Sequence, residues 1–331
     1  MARLFFEGNL ELLKNKTIGI IGYGNQGRSQ ALNLRDSGLD VIIGNVRDNY
    51  ADLAEKDGFK VRSIPEAVKE SDFSSILIPD EVAPDVFKSH ILPYLKKDHV
   101  ILFSSGYNIA FNFIDPPAGT DVIMVAPRMI GEGVRKRYEE NMGFPVLIGV
   151  KQDSSGKALD YALSYSKGIG VMKKGGVAVE SSFEEEALVD LFSEHTWAGS
   201  MLFLFKECFD ALVEEGVSPE VALLELYMSG EVAEIAQRIA DMGLFDQLKL
   251  HSTTSQYGQF VYGPKYMTDE IKKMLRQAIQ EIKDGEFAKD WTLERIAGYP
   301  RLNSMWKNVK EYRISKEEEK MRKILKGEKE G

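Results

Sequence analysis

The sequence predicts an α/β domain on a parallel sheet over residues 1–180, followed by an all-α domain over 181–331. Three observations predict it. Short apolar runs alternate with segments of helical spacing through the first half. A glycine-rich turn, IIGYGNQG, follows the first of those runs. The texture changes at SSFEEEALVDLF, and from there to about residue 248 no strand-like block appears.

Taken in order, the N-terminal MARLFFEGNLELLKNK interrupts its apolar residues with Glu7 and Glu11, so it predicts a small amphipathic segment rather than a signal peptide. TIGIIGYG (17–24), VIIGN (41–45), SSILIPD (74–80), VILFSSG (100–106), DVIMVAP (121–127) and PVLIGV (145–150) are mostly unbroken by charge. Runs of that kind suit strands buried on both faces of a parallel sheet. Gly27–Ser37 and Val82–Leu95 carry helical spacing between them. Ser181 or Ser182 offers an N-cap, with glutamates in the turn that follows. Leu188, Leu191, Phe192, Leu202, Phe205, Phe209 and Leu212 continue at helical spacing, and Val217–Ser218–Pro219 restarts the pattern over 219–242. SKEEEKMRKILKGEKEG reads as a charged helix that frays, its charges a solvated face.

A chain of 331 residues is long enough for two domains. The net charge of −9 argues against a nucleic-acid partner, since no basic domain is present to neutralise phosphates. No stretch approaches the roughly 18–20 apolar residues of a membrane span. The single cysteine, Cys208, fits a reducing compartment. These features together predict a cytoplasmic protein.

In the glycine turn, Gly22 permits the tight bend, Gly24 lets the backbone approach a pyrophosphate, and Gly27 lets the following helix pack closely. The helix N-terminus then directs N–H groups at the anion. The next loop, GNVRDNYADLAEK, decides between the two nicotinamide cofactors. Arg47 favours the 2′-phosphate of NADPH; Asp48 and Asp52 favour the ribose hydroxyls of NADH, unless either caps the following helix.

Asp190 and Glu194 lie four apart on one helix face, and Glu225 lies on a later helix. Carboxylates aimed at one crevice suit Mg²⁺. Acidic pairs at this spacing also occur on ordinary solvated helices, and spacing alone favours that reading. His90, His99, His195 and His251 share no ligand spacing. Ser104 and Ser105 have no local base, and no G-x-S-x-G turn is present, which argues against a serine nucleophile.

IGYGNQGRSQALNLRDSGLDVIIG, LIPDEV, GYNIAFNFIDPP, DVIMVAP, GKALDYALSYSKGIG and GEFAKDW closely resemble the ketol-acid reductoisomerase family, in order, to about residue 312. The resemblance implies a Rossmann domain followed by a helical domain, knotted in many members and pairing between subunits. It implies Mg²⁺-dependent alkyl migration in a 2-acetohydroxy acid, then reduction by NADPH, on the route to valine, leucine and isoleucine. Residue by residue, Tyr23, Gly24, Asn25 and Gln26 match the phosphate loop. Asp80, Glu81, Val82 and Ala83 match a second cofactor segment, and Gly131 a further contact. Asp190 and Glu194 match metal ligands, Asp190 the bridging one. Glu225 matches a ligand supplied by the partner subunit, and Ser252 a substrate-binding serine.

The chain departs from the family pattern at the chemistry. SSGYNI replaces AHGFNI, placing Ser105 where the family has an active-site histidine. VAPRMIG replaces VAPKGPG, placing Arg128 where a lysine stands, and arginine does not trade protons near neutral pH. Ser229 replaces a glutamate ligand, which favours one Mg²⁺ over two. Tyr50 and Asp52 take the place of phosphate-binding serines and tilt the cofactor choice to NADH, with Arg47 pulling the other way. The expectation is a diverged family member: a working reductoisomerase with an unusual site, or one whose alkyl migration is impaired or lost. Two alternatives are a 2-ketoacid reductase without isomerase activity, and a non-catalytic dinucleotide-binding paralogue. The resemblance implies a homo-oligomer, or a hetero-oligomer with an active relative.

Overall fold

The computed structural model describes residues 1–327, so the last four residues of the charged tail lie outside the described region. Contacts divide the chain into two compact units, Met1–Val189 and Asp190–Gly331, separated further along the sequence than the change of texture at 181.

The first unit holds a nine-stranded sheet: β1 (Leu4–Phe5), β2 (Thr17–Ile21), β3 (Asp40–Gly44), β4 (Lys60–Arg62), β5 (Phe73–Ile76), β6 (Val100–Phe103), β7 (Asp121–Pro127), β8 (Pro145–Gln152) and β9 (Val177–Glu180). Their spatial order is β1-β9-β8-β7-β6-β5-β2-β3-β4. From β4 to β7 all neighbours are parallel, in the order of a doubly wound nucleotide-binding sheet. The sequence of strands reverses direction between β2 and β5, and a crevice opens there at the carboxyl ends of the strands.

The sheet is not wholly parallel, which corrects the expectation from the apolar runs. β8 lies antiparallel to β7, and β1 lies antiparallel to β9. A strand buried on both faces reads as one apolar run whichever way it points, so direction is invisible in composition. The N-terminal segment, expected to be merely amphipathic, supplies the edge strand β1. β4 and β9 are too short and too charged at their ends to stand out as runs.

Helices α1 (Asn25–Asp36), α2 (Asn49–Lys56), α3 (Ile64–Glu70), α4 (Ala83–Val86), α5 (Tyr107–Ala110), α6 (Gly131–Glu139) and α7 (Ala158–Ile169) connect and cover these strands. One buried cluster joins Ile18, Ile20, Leu34, Phe73 and Tyr165; a second joins Ile21, Ile42, Ile101, Phe103 and Phe183. Alternate residues of β2 thus feed opposite faces of the sheet.

α8 (Phe183–Ser193) starts where the texture changes, and Ser182 is its cap, its hydroxyl 3.0 Å from the Glu185 N–H. The rest of the chain is helical: α9 (Gly199–Glu214), α10 (Pro219–Leu223), α11 (Glu231–Met242), α12 (Thr253–Tyr262), α13 (Asp269–Lys283), α14 (Glu286–Ile296), α15 (Pro300–Glu311) and α16 (Arg313–Leu325). The helix expected over 219–242 is broken. α10 runs into a π turn at Leu224–Met228, and Gly230 takes φ +91° before α11 begins. A left-handed residue ends an α-helix, and glycine adopts it without a Cβ penalty. α8 likewise passes through a π turn, Glu194–Ala198, into α9. Phe209, Leu223, Ile314 and Met321 form a small buried cluster in this unit, while Trp197, Leu202, Phe245 and Trp306 are exposed.

Candidate active-site crevice and carboxylate helices

The glycine turn is built as a cradle. Gly22 has φ +96°, and a Cβ there would lie 2.7 Å from the Leu77 carbonyl oxygen. A Cβ on Gly27 would lie 2.1 Å from the Gly22 carbonyl oxygen, so α1 seats directly on the turn. Around Gly24 there is open space. Gly24 is also the N-cap of α1 and no side chain caps the helix, which leaves its first-turn N–H groups for an anion. These features fit a dinucleotide pyrophosphate. Asn25 receives the Glu132 N–H on its Oδ1 at 3.0 Å, and Gly131 packs against the Asn25 backbone, so the loop is pinned to the start of α6. Tyr23 is buried, with its hydroxyl donating to Asp57 at 2.9 Å; only its main chain is left for a ligand.

Beyond the ends of β3 and β4 a cavity of about 740 Å³ is lined by Asn45, Arg47, Arg62, Ser63, Glu66 and His90, among others. Asp48 is the N-cap of α2, its Oδ1 accepting the Tyr50 and Ala51 N–H groups at 2.9 and 3.0 Å and the Asn45 amide at 2.9 Å. Asp52 lies in the first turn of the same helix. Arg47 is paired with Glu55 at 2.6 Å, and Arg62 with Glu70 at 2.9 Å.

At the reversal between β2 and β5, a crevice of about 190 Å³ is lined by Gln26, Ile78, Asp80, Ala83, Ser104 and Asn108, with Ser105 beside them. Asp80 Oδ1 accepts from the Asn108 amide at 2.9 Å. Glu81 and Val82 form the turn leading into α4, with Val82 at its N-cap position. Ser105 accepts the Tyr107 N–H at 3.2 Å and reaches Asp80 only at 3.5 Å. That geometry makes it a turn serine at the start of α5. The Tyr107 hydroxyl is buried without a hydrogen-bond partner among the described residues.

Sequence reasoning missed Glu186. It is one of three successive glutamates and is only 2 % exposed. Its carboxylate accepts the Gly106 N–H at 2.6 Å and pairs with Arg128 at 2.6 Å. Arg128 is therefore held by a buried carboxylate that also binds the turn after Ser105, its own side chain one-third exposed. The helical period of α8, once anchored on Phe183 and Ala187 as buried positions, would have marked Glu186 as inward-facing.

In the helical unit, Asp190 is half-buried and Glu194 exposed at the start of its π turn. Glu225 lies in the π turn of Leu224–Met228, followed by exposed Ser229. Ser252 is the N-cap of α12, accepting the Ser255 N–H at 3.2 Å. Carboxylates one turn apart are hard oxygen donors, and the Asp190–Glu194 pair fits the chemistry of Mg²⁺. Among the described residues, no three histidine, cysteine or acidic side chains gather where they could hold an ion.

The comparisons with known proteins decide the family. A model described as acetohydroxy acid isomeroreductase, NADPH-binding domain, matches residues 12–175, and one described as ketol-acid reductoisomerase, C-terminal domain, matches residues 183–326. The chain belongs to the ketol-acid reductoisomerase family. It is 52% identical over 328 residues to a Saccharolobus solfataricus protein named "Putative ketol-acid reductoisomerase 3", covering 98% of each chain. It is 43% identical to the ketol-acid reductoisomerase (NADP(+)) of Methanocaldococcus jannaschii, with both chains covered in full. A solved structure described as an NADH-preferring ketol-acid reductoisomerase from an uncultured archaeon superposes with TM-score 0.92 at 34% identity, over 98% of this chain and 99% of that one. Among the described residues no helix is long and apolar enough to cross a membrane.

Proposed function

We propose that this ketol-acid reductoisomerase relative converts a 2-acetohydroxy acid to a 2,3-dihydroxy acid with NAD(P)H and Mg²⁺, in branched-chain amino acid biosynthesis in the cytoplasm. The observation that carries the reading is the crevice at the strand reversal, which sets Gln26 of the glycine turn beside Asp80 and Ser105, with Arg128 held on Glu186 in the same unit. In this reading residues 1–180 bind the dinucleotide and residues 181–331 supply metal and substrate ligands.

Gly22–Gly27, Asp80–Ala83 and Gly131 would hold the cofactor, which supplies the hydride. NADH is favoured over NADPH. A 2′-phosphate would need donors at the start of α2, and Asp48 already occupies those N–H groups while Glu55 occupies Arg47. Asp190 and Glu194 would hold Mg²⁺, with Glu225 contributed by a second copy of the chain; the ion, when bound, supplies Lewis-acid polarisation of the substrate oxygens. Ser229 brings no charge, so one ion is favoured. The large exposed apolar residues of the helical unit support a homo-oligomer.

Arg128 has a fixed positive charge and orients the substrate carboxylate or hydroxyl oxygen, with Glu186 setting the direction of its guanidinium. Ser252 would contact the substrate through its remaining O–H. Ser105 holds the turn and moves no proton, so a proton must travel by solvent where the family uses histidine. Cofactor oxidation is followed with Mg²⁺ on 2-acetolactate and, in parallel, on 3-hydroxy-3-methyl-2-oxobutanoate. Consumption with 2-acetolactate supports the reading. Reaction of the rearranged ketoacid alone points to a reductase that no longer isomerises. Dinucleotide binding with neither substrate consumed points to the non-catalytic paralogue.

A further inference from the structure

Ser104 stands where the family pattern AHGFNI has alanine, and the residues behind it fix the direction of its hydroxyl. The Met129 carbonyl oxygen only accepts, and the Gln26 side chain meets it at 2.9 Å, so the Gln26 amide nitrogen faces Met129. The Gln26 Oε1 therefore faces the other way, where Gln30 Nε2 donates to it at 3.0 Å. The same nitrogen donates its second hydrogen to Ser104 Oγ at 3.1 Å. Gln30 Oε1 accepts from the Tyr165 hydroxyl at 2.9 Å. Gln30 and Tyr165 are both fully buried, in a layer otherwise filled by Leu34, Phe73 and their neighbours.

Both hydrogens and the carbonyl oxygen of Gln30 are thus engaged, and Ser104 is obliged to accept from behind. Its own hydrogen turns away from Gln30, in a side chain that lines the crevice with Gln26, Asp80 and Asn108. Among the described residues nothing receives it. A buried polar chain from α7 through α1 to the end of β6 carries a desolvation cost, and it ends at side chains that line the crevice. Ser105, by contrast, spends its oxygen on the Tyr107 N–H.

We propose that Ser104 is a ligand-binding donor, set by Gln30, that hydrogen-bonds a neutral carbonyl oxygen of the bound reactants. Asp80 lines the same crevice and disfavours an anionic oxygen there. Two carbonyls fit that chemistry, the nicotinamide carboxamide and the 2-keto group of the substrate. The proposal rests on the dinucleotide and ketoacid reading above, and binding measurements separate its failure from a failure of that reading.

NADH binding is titrated by fluorescence on wild type, Ser104→Ala, Ser104→Thr and Gln30→Glu, with ADP-ribose as the probe that lacks nicotinamide. Binding of 3-hydroxy-3-methyl-2-oxobutanoate is read by thermal shift with NAD⁺ present. If the partner is the carboxamide, Ser104→Ala weakens NADH by roughly three- to tenfold and leaves ADP-ribose unchanged. If it is the ketoacid, NADH is unchanged and the ketoacid weakens by the same factor. In either arm Ser104→Thr restores binding. Gln30→Glu reproduces the loss with Ser104 still present, because a carboxylate turns the serine hydrogen inward; Gln30→Met, which removes the donor and frees the serine rotor, gives a smaller loss. Unchanged affinity for both ligands in Ser104→Ala overturns the proposal, and so does equal weakening of ADP-ribose. Wild-type protein that binds neither nucleotide overturns it together with the proposed reaction. Normal binding without turnover sinks the reaction alone.

Discussion

Tyr107 carries a hydroxyl where the family pattern has phenylalanine, and that hydroxyl is buried with no partner among the described residues. Burial first, then the charges of Asp80 and Glu81, push its pKa up to about 12, so it stays neutral and merely unsatisfied. Tyr107→Phe is expected to stabilise the protein by about 1 kcal/mol, read as a higher urea midpoint. A lower midpoint would mean the hydroxyl is bonded after all. His99 makes the opposite kind of demand. It is 1% exposed, its Nε2 lies 2.9 Å from Ser74 Oγ, and burial chiefly, with Lys96 and Lys16 adding to it, pulls its pKa from 6.5 to about 4. The unfolded chain takes up this proton near pH 6.5 while the fold refuses it until about pH 4. Stability from this group is therefore whole above pH 6.5 and declines toward pH 4, by up to about 1.4 kcal/mol per pH unit. A His99→Gln variant should lose that slope in urea midpoints taken across the window; an unaltered slope would assign it to other groups. Neither demand was legible in sequence, where Tyr107 and His99 sit in unremarkable surroundings. Glu186 was hidden among identical neighbours for the same reason: only packing tells which of three glutamates turns inward.

The elements show a different balance. The glycine cradle was legible because Gly22 and Gly27 answer steric requirements while Gly24 leaves open space beside the turn, and α1 begins at Asn25. The cofactor loop was not, because Arg47, Asp48 and Asp52 favour opposite answers until it is known which of them the chain itself occupies. Asp48 caps α2, so Asp48→Ala should cost about 1 kcal/mol of stability, whereas Asp48→Ser, which still caps, should cost far less. Combined with Glu55→Gln, the serine variant frees Arg47 and removes the negative charge of Asp48 from the start of α2. Its ratio of NADPH to NADH dissociation constants should fall by roughly tenfold, since a charge-assisted contact is worth about 1.5 kcal/mol or more. An unmoved ratio would remove this loop from the account of cofactor choice. Strand direction lay beyond reach of the sequence too. β8 opens on an apolar run, PVLIGV, like the parallel strands before it, and its reversal shows only in the ladder with β7.

For the whole molecule, both families of features agree. The α/β unit, the helical unit and their order follow from texture, and the family models fall on either side of residues 175 and 183. Among the described residues two things are wanting: cover for Trp197, Leu202, Phe245, Tyr266 and Trp306, all more than half exposed, and a third carboxylate beside Asp190 and Glu194. Both are supplied if copies associate through the helical unit. Light scattering after size exclusion should report a dimer or larger assembly, and Trp197→Glu with Trp306→Glu should shift it toward monomer with loss of Mg²⁺ affinity. A monomer that binds Mg²⁺ as tightly as the assembly would contradict the shared site. The central claim is that this chain both rearranges and reduces, despite Ser105, Arg128 and Ser229. Proton NMR of the product from 2-acetolactate with NADH and Mg²⁺ tests it most directly. Migration followed by reduction places both methyl groups on one carbon that bears no hydrogen, giving two methyl singlets, and that is the predicted spectrum. A methyl doublet would show that the ketone was reduced where it stood, with no migration, and would contradict the account.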